Sequence, residues 1–539
     1  MSTRSVLLLP LLLAGCAPEP AAVEGIELLT PRQQLIRLSV DLRGVHPSEA
    51  ELSAIVADPD LYEAYVDRWL DDDRLGPRMR EVFNERFLTV TGSTYGHGYS
   101  GASGAQVAAA IAEEPLRLLQ RVIDQDLPYT EMVTADYTMA NSLLAAMWDL
   151  ERSGDGADWE PARYQDGREH AGILSMSSVW LRYDSMGGNA NRHRANAVSK
   201  MLLCDDYLSR PIVLNRAAVD QLIEDPETAI SNNVSCQSCH STLDPLSAHF
   251  FGFFYYDEED GDASMYRPEN EQDWMDYAGD SPAFYGTPTS GLGELGERLA
   301  DDPRLVDCAV QTVWEGLTQR TLTDDDWEEF QGHRAAFQDS GLLVKPLVKS
   351  VVMSAEYRAG DVLDPELAER VPTVKLASPA QLESIIEDIT GYRWTFGGQP
   401  GLRSHGMGLP VLLGGVDGTN VSTRSYEASV GGVFVQERLA WAAAWHVASH
   451  DLDPAREDDA RLLKYVTIED TPDNAEEAFT QQIRHLYLRV TGVALPVDAT
   501  EPANLIVLWR QLHSVEGSPE AAWAGVVSAV LRDPLVLHY

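Results

Sequence analysis

Apolar residues recur at three- and four-residue intervals along much of this 539-residue chain. That spacing lines one face of an α-helix. Leu35, Leu38 and Leu42 do this within residues 31–44, and Gly44 supplies a stop. Pro47-Ser48-x-x-Glu51 opens a second periodic stretch, Leu52 to Val56, and Tyr62 to Leu70 forms a third. Residues 80–90 and 105–125 continue the pattern, whereas Gly92 to Gly104, rich in Gly, Ser and Tyr, reads as a loop. Residues 152–168 are polar and irregular, and 170–290 are rich in aromatics with few periodic stretches. Helical spacing returns at Leu295 to Leu299, Leu305 to Leu317, Asp325 to Phe337 and Val344 to Tyr357. Pro365 and Pro372 mark a linker at 361–377, beyond which 378–539 is again helical, with a Gly-rich middle. The expected fold is mainly α: a helical multi-domain protein with one unusual segment embedded in it. An internal echo sets Asp388-Ile389-Thr390-Gly391 against Asp41-Leu42-Arg43-Gly44, and Ala522 to Tyr539 against Val344 to Tyr357.

The unusual segment is Cys236-Gln-Ser-Cys239-His240. C-x-x-C-H is the spacing of covalent haem attachment: each thiol adds across one porphyrin vinyl group and the histidine ligates the iron. With 5 Cys and 13 His in the chain, chance would produce the motif in about one chain in a thousand. A zinc site needs four ligands, and no second C-x-x-C is present. A thioredoxin-like dithiol calls for a βαβ context that the flanks do not supply. His446 and His450 share a helix face, but no third ligand is in view, so packing is the expectation there.

The chain begins with Arg4, an apolar run from Val6 to Leu13, and Leu13-Ala14-Gly15-Cys16. This is the layout of an export signal, too short for a permanent transmembrane helix. The box resembles the bacterial lipoprotein cleavage site, which would make Cys16 the lipidated first residue after cleavage. Ala17 after it, in place of Asp, is similar to Gram-negative signals for the outer membrane. No later stretch is long and apolar enough to span a bilayer. In an oxidising compartment the two remaining thiols, Cys204 and Cys308, are expected to form a disulfide. The net charge of −43 argues against nucleic acid and anionic membrane surfaces as partners. It suits a solvated surface or the steering of a basic redox partner. The acidic run Asp257 to Asp262 lacks the glycine placement of an EF-hand and reads as a surface loop.

Several segments, in order, resemble the secreted planctomycete-type cytochrome c-like family over about residues 30–360. Ile36 to Gly44 is similar to its opening "RLSLDLTG" helix and Thr134 to Asn141 to its "TADYTFVN" segment. Ala171 to Leu174 is similar to the opening of its haem segment, and Leu202-Leu203-Cys204 to its "LLC". Cys236 to His240, Leu243-Asp244-Pro245 and Phe251 to Asp257 are similar to "CxxCHxxIDPxGFAFExFD". Leu246 to His249 replace that family's Gly turn, which bears on loop geometry. The resemblance implies a c-type haem protein outside the cytoplasm.

The resulting division is a signal peptide at 1–16, a tether at 17–25, an N-terminal helical domain at 26–168, a cytochrome c-like haem segment at 169–290, a closing helical module at 291–360, the linker at 361–377 and a C-terminal helical domain at 378–539. The expected cofactor is haem c on Cys236, Cys239 and proximal His240, with Arg192 and Arg194 placed to meet propionates. Met265, Met275 and His193 are the candidates for the second axial position. The expected role is electron transfer by a lipid-anchored envelope protein, a carrier rather than a catalyst. A haem-dependent oxidoreductase or peroxidase-like enzyme is the first alternative, and an envelope binding or scaffold lipoprotein the second.

Overall fold

The helices fall largely where the apolar spacing places them. The computed structural model describes residues 25–91, 102–154, 156, 158–185, 187–211, 216–224, 230, 232–254, 266–277, 280–396, 398–404 and 407–539. Cys16, the tether up to residue 24, Met265 and the acidic run 257–262 lie outside the described residues, as does most of the loop expected at 92–104. The fold is mainly α. None of the described helices is long and apolar enough to cross a membrane.

The helices used below are α1 (Pro31–Arg43), α2 (Glu49–Ala57), α3 (Tyr62–Leu70), α4 (Leu75–Phe87), α5 (Gly104–Asp124), α6 (Ser177–Arg182), α7 (Arg192–Leu203) and α8 (Val234–Ser247), followed by α9 (Pro303–Thr318), α10 (Trp327–Asp339), α11 (Val344–Val352), α12 (Pro379–Thr390), α13 (Val430–Asp451), α14 (Glu476–Thr491), α15 (Glu501–Glu516) and α16 (Pro519–Leu531). Short strands accompany them, of which β1 (Ile26–Leu28), β2 (Thr138–Ala140), β3 (Glu151–Arg152), β4 (Glu160–Arg163), β5 (Ala283–Phe284), β6 (Thr287–Pro288) and β7 (Ala359–Val362) are used below. Strands β2, β4 and β3 make a small antiparallel sheet where the sequence reads as irregular. Runs this short carry too few alternations to register as period two.

The echo between the two ends of the sequence has a structural counterpart. Helix α1 starts on Thr30 in a reciprocal cap with Gln33, has Pro31 at its first position and ends on Gly44 at φ +70°. Helix α12 starts on Ser378 in the same cap with Gln381, has Pro379 first and ends on Gly391 at φ +73°. Each cap satisfies amide groups the first turn leaves open, and each glycine takes a left-handed conformation that costs other residues more. The pairing just before each helix also matches. Leu28 in β1 lies opposite Ala359 in β7, and Leu376 bridges His538. Each unit is thus closed by a chain segment that returns beside its first helix.

The two units share one interior. A continuous cluster of buried apolar side chains runs from Leu35 to Leu537 and takes in α1, α3, α9, α12, α13 and α16. At its centre the Asp41 carboxylate accepts from Tyr357 (2.7 Å), Lys375 (2.8 Å) and Tyr539 (2.6 Å). The Gln381 side chain donates to the Val40 carbonyl at 3.0 Å, joining α12 to α1. Residues 361–377, expected as a linker, therefore end as interior: Val371, Lys375, Leu376 and Ala377 are buried. Proline spacing signals only that helix stops, not that the chain leaves the core. Cys204, at the end of α7, forms a disulfide with Cys308 in α9, with Cα atoms 5.2 Å apart.

Candidate haem-binding site

Cys236, Cys239 and His240 sit on α8, a helix where aromatic content and weak periodicity had suggested little regular structure. Asn233 caps it by accepting the Ser235 N–H at 2.9 Å. Leu243, Leu246 and Ser247 turn one face inward, and α8 packs on α7 and on β5. The three motif residues lie within little more than one turn, so spacings of three and four put them on neighbouring positions of the helix surface. Both thiols are free and half-buried. Cys239 rests against the main core.

Asp244 follows His240 by one turn and was absent from the expected site except as part of a Leu-Asp-Pro motif. The His240 Nδ1 lies 2.9 Å from Asp244 Oδ1 and 3.1 Å from Oδ2. Arg192 grips the same carboxylate from α7, with Nε at 2.7 Å from Oδ1 and Nη2 at 2.9 Å from Oδ2. Burial pushes the Asp244 pKa up, but hydrogen bonds from His240 and Arg192 and the charge of Arg192 outweigh it, leaving the pKa below the usual value. An ionised acceptor holds Nδ1 as the N–H donor of the ring and turns Nε2 away from Asp244. Nε2 has no hydrogen-bond partner among the described residues. Asp280 also faces this pair, and burial and the charge of Asp244 push its pKa up.

A second polar group lies along α8 at Thr242. Its hydroxyl pairs with Tyr207 Oη at 2.8 Å. Arg210 stacks 3.8 Å over Tyr207, and Arg304 stacks 4.0 Å over Tyr285. Asp205 accepts from Arg210 Nε at 3.1 Å. Burial works against the charge of Arg210, yet Asp205, Tyr207 and Cys239 hold its pKa above the usual guanidinium value. Arg210 thus stands beside the Cys239 thiol, while Arg304 sits behind Tyr285 and pairs with Asp302. Sequence reading missed Arg210 because it is remote from 236–240 along the chain.

The other expected residues are dispersed. Arg194 is fully buried, donating to the carbonyls of Tyr183 (3.2 Å), Phe253 (3.0 Å) and Trp180 (3.4 Å) and to Asn191 Oδ1 (3.0 Å). It holds loop ends together rather than presenting a cation at the α8 surface. Arg192, likewise expected to meet a propionate, is engaged by Asp244. His193 is exposed, its Nδ1 3.0 Å from the Asp184 carbonyl. Met275 is 57% exposed on a short turn of helix. His249 is buried, with Nδ1 2.9 Å from the Leu246 carbonyl and Nε2 2.5 Å from Thr289 Oγ1, and burial pushes its pKa down to about 4. His446 and His450 stack with centroids 5.7 Å apart, and His450 Nδ1 lies 3.0 Å from Asp451. Among the described residues no group of three His, Cys, Asp or Glu side chains could hold a metal ion.

The donor set on α8 fits a covalently held porphyrin: two half-buried thiols outside any disulfide at the required spacing and an imidazole whose Nε2 has no hydrogen-bond partner among the described residues. Among known proteins, residues 31–150 match a family model described as PSD4, protein of unknown function (DUF1592). That match covers α1 to α5 and ends before the haem-like segment. No curated protein matches the chain, and no solved structure does.

Proposed function

We propose that this chain is an exported c-type haem lipoprotein that passes electrons at the cell envelope. The observation that carries the reading is the pairing on α8 of two free, half-buried thiols with an imidazole already oriented by a carboxylate. Cys236 and Cys239 would hold the group through thioethers, each sulfur bonding one vinyl carbon while its proton goes to the other. His240 Nε2 would be the proximal ligand, and Arg210, beside Cys239 and already paired with Asp205, is the cation that would have to turn to meet a carboxylate side chain of the macrocycle. When bound, haem supplies a one-electron ferric/ferrous couple. The protein supplies attachment, ring orientation and partial shielding from water. Met265, Met275 and His193 stay as the proposed sources of a second axial ligand. Cys16 is the proposed lipid anchor, and the net charge of −43 suits a basic redox partner attracted over a distance set by ionic strength.

The test is a pyridine haemochrome spectrum of the full chain produced with a haem-ligation system. The expected result is a c-type spectrum that survives denaturing electrophoresis, from low-spin iron that does not turn over peroxide. A colourless product overturns the haem reading. Covalent haem with peroxide turnover replaces electron carriage with peroxidase-like chemistry.

A further inference from the structure

We infer that Asp244 is a positioning residue for His240 and that, together with Arg192, it sets how strongly the imidazole donates to iron. This rests on the haem reading above and adds to it a residue and a direction of effect. Two observations carry it. Both Asp244 oxygens lie within 3.1 Å of His240 Nδ1, and the same two oxygens accept the Arg192 fork at 2.7 and 2.9 Å. The Asp244 side chain is 4% exposed and that of Arg192 20%, so solvent screens this triad weakly.

The consequence is electrostatic. A ring N–H donated to a carboxylate makes the opposite nitrogen more basic and fixes the plane of the ring. A more electron-rich ligand and a nearby negative charge both favour ferric over ferrous iron, so Asp244 lowers the reduction potential. Arg192 opposes this by drawing charge from the carboxylate. It also comes from α7, so the orientation of His240 is set by a contact between helices and not by α8 alone. His240 and Asp244 are one helical turn apart, and Arg192 lies 52 residues upstream of Asp244.

The two partners should therefore move the potential in opposite directions, which a purely structural role would not do. The experiment is a mediator-coupled redox titration of the full haem-loaded chain, with covalent haem content measured on the same samples. Asp244→Asn should favour reduction by on the order of tenfold, about +59 mV for a one-electron couple. Arg192→Gln should shift the potential the other way, and Arg192→Lys should restore part of it. Haem-loaded variants that keep the wild-type potential, or that both shift in the same direction, overturn the inference while leaving the haem reading intact. A wild-type chain without covalent haem overturns the haem reading instead. If Asp244→Asn fails to fold, the Arg192 pair decides: a lowered potential in the Gln variant that Lys reverses supports the inference, and an unchanged one rejects it.

Discussion

Two carboxylates in this molecule are held in nearly the same way and lead to different outcomes. Asp41 and Asp244 each accept from a basic side chain and from at least one further donor, and each is almost fully buried. Around Asp41 the donors are Lys375, Tyr357 and Tyr539, and their polar atoms all point inward to bonds within the protein. The result is a rivet joining the first helix to the end of the chain. Around Asp244 one donor is an imidazole with a second nitrogen left over, on a helix whose outer face carries two thiols. Burial and pairing alone thus do not mark a functional site. A donor with unused capacity next to partly exposed reactive groups is what makes the Asp244 region the candidate.

The sharpest way to separate the two regions is Cys236→Ala with Cys239→Ala. It should abolish covalent haem, read by haem staining after denaturing electrophoresis, while the urea midpoint stays close to that of haem-free wild type. Asp41→Ala should have the converse signature, a loss of about 3–5 kcal/mol of stability in urea unfolding with haem attachment chemistry unaffected in the folded fraction. Replacing Cys204 and Cys308 by Ala removes a cross-link spanning 104 residues and should cost about 4 kcal/mol, measured the same way.

Smaller effects follow from pH. Burial drives the Lys375 pKa down to about 7 against the pull of Asp41. Between pH 7 and 10 the unfolded chain then binds more protons there than the folded one, so this residue makes stability rise with pH. Tyr357 and Tyr539, pushed well above 10 chiefly by burial and secondarily by Asp41, reverse the trend beyond pH 10. Near α8 the sensitive group is His249, lowered to about 4 by burial. The unfolded chain protonates this residue first as pH falls below 6.5, so stability should drop by up to about 1.4 kcal/mol per pH unit down to about pH 4. His249→Gln should flatten that acid slope in pH-dependent urea titrations and leave the alkaline rise intact. Equal flattening of both limbs would show that the two regions are not energetically separate.

Local sequence carried much of the fold. The caps and stops of α1 and α12 are readable because Thr30-Pro31-x-Gln33 and Ser378-Pro379-x-Gln381 satisfy amides within one turn. Strands β2 to β4 were not readable, since runs so short carry too few alternations, and neither was the burial of Val371, Lys375, Leu376 and Ala377. The core of the candidate site, Cys236, Cys239 and His240, is legible from spacing alone. Asp244 could have been found from its offset of four from His240, the helical neighbour distance. Arg210 could not, because its approach to Cys239 depends on tertiary packing. The expectation for Arg194 shows the opposite failure: a basic triplet looks like a surface cluster until its middle and flanks are assigned to separate helix faces.

On the proposed reading, the cross-link between Cys204 and Cys308 would also impose an order of manufacture. Export would deliver both of these sulfurs, and the pair on α8, to the same oxidants. The first pair would have to be joined and the second kept reduced long enough for ligation. A host that oxidises indiscriminately should therefore accumulate isomers with Cys236 or Cys239 mispaired, and yield should depend on its reducing and isomerase machinery as much as on haem supply.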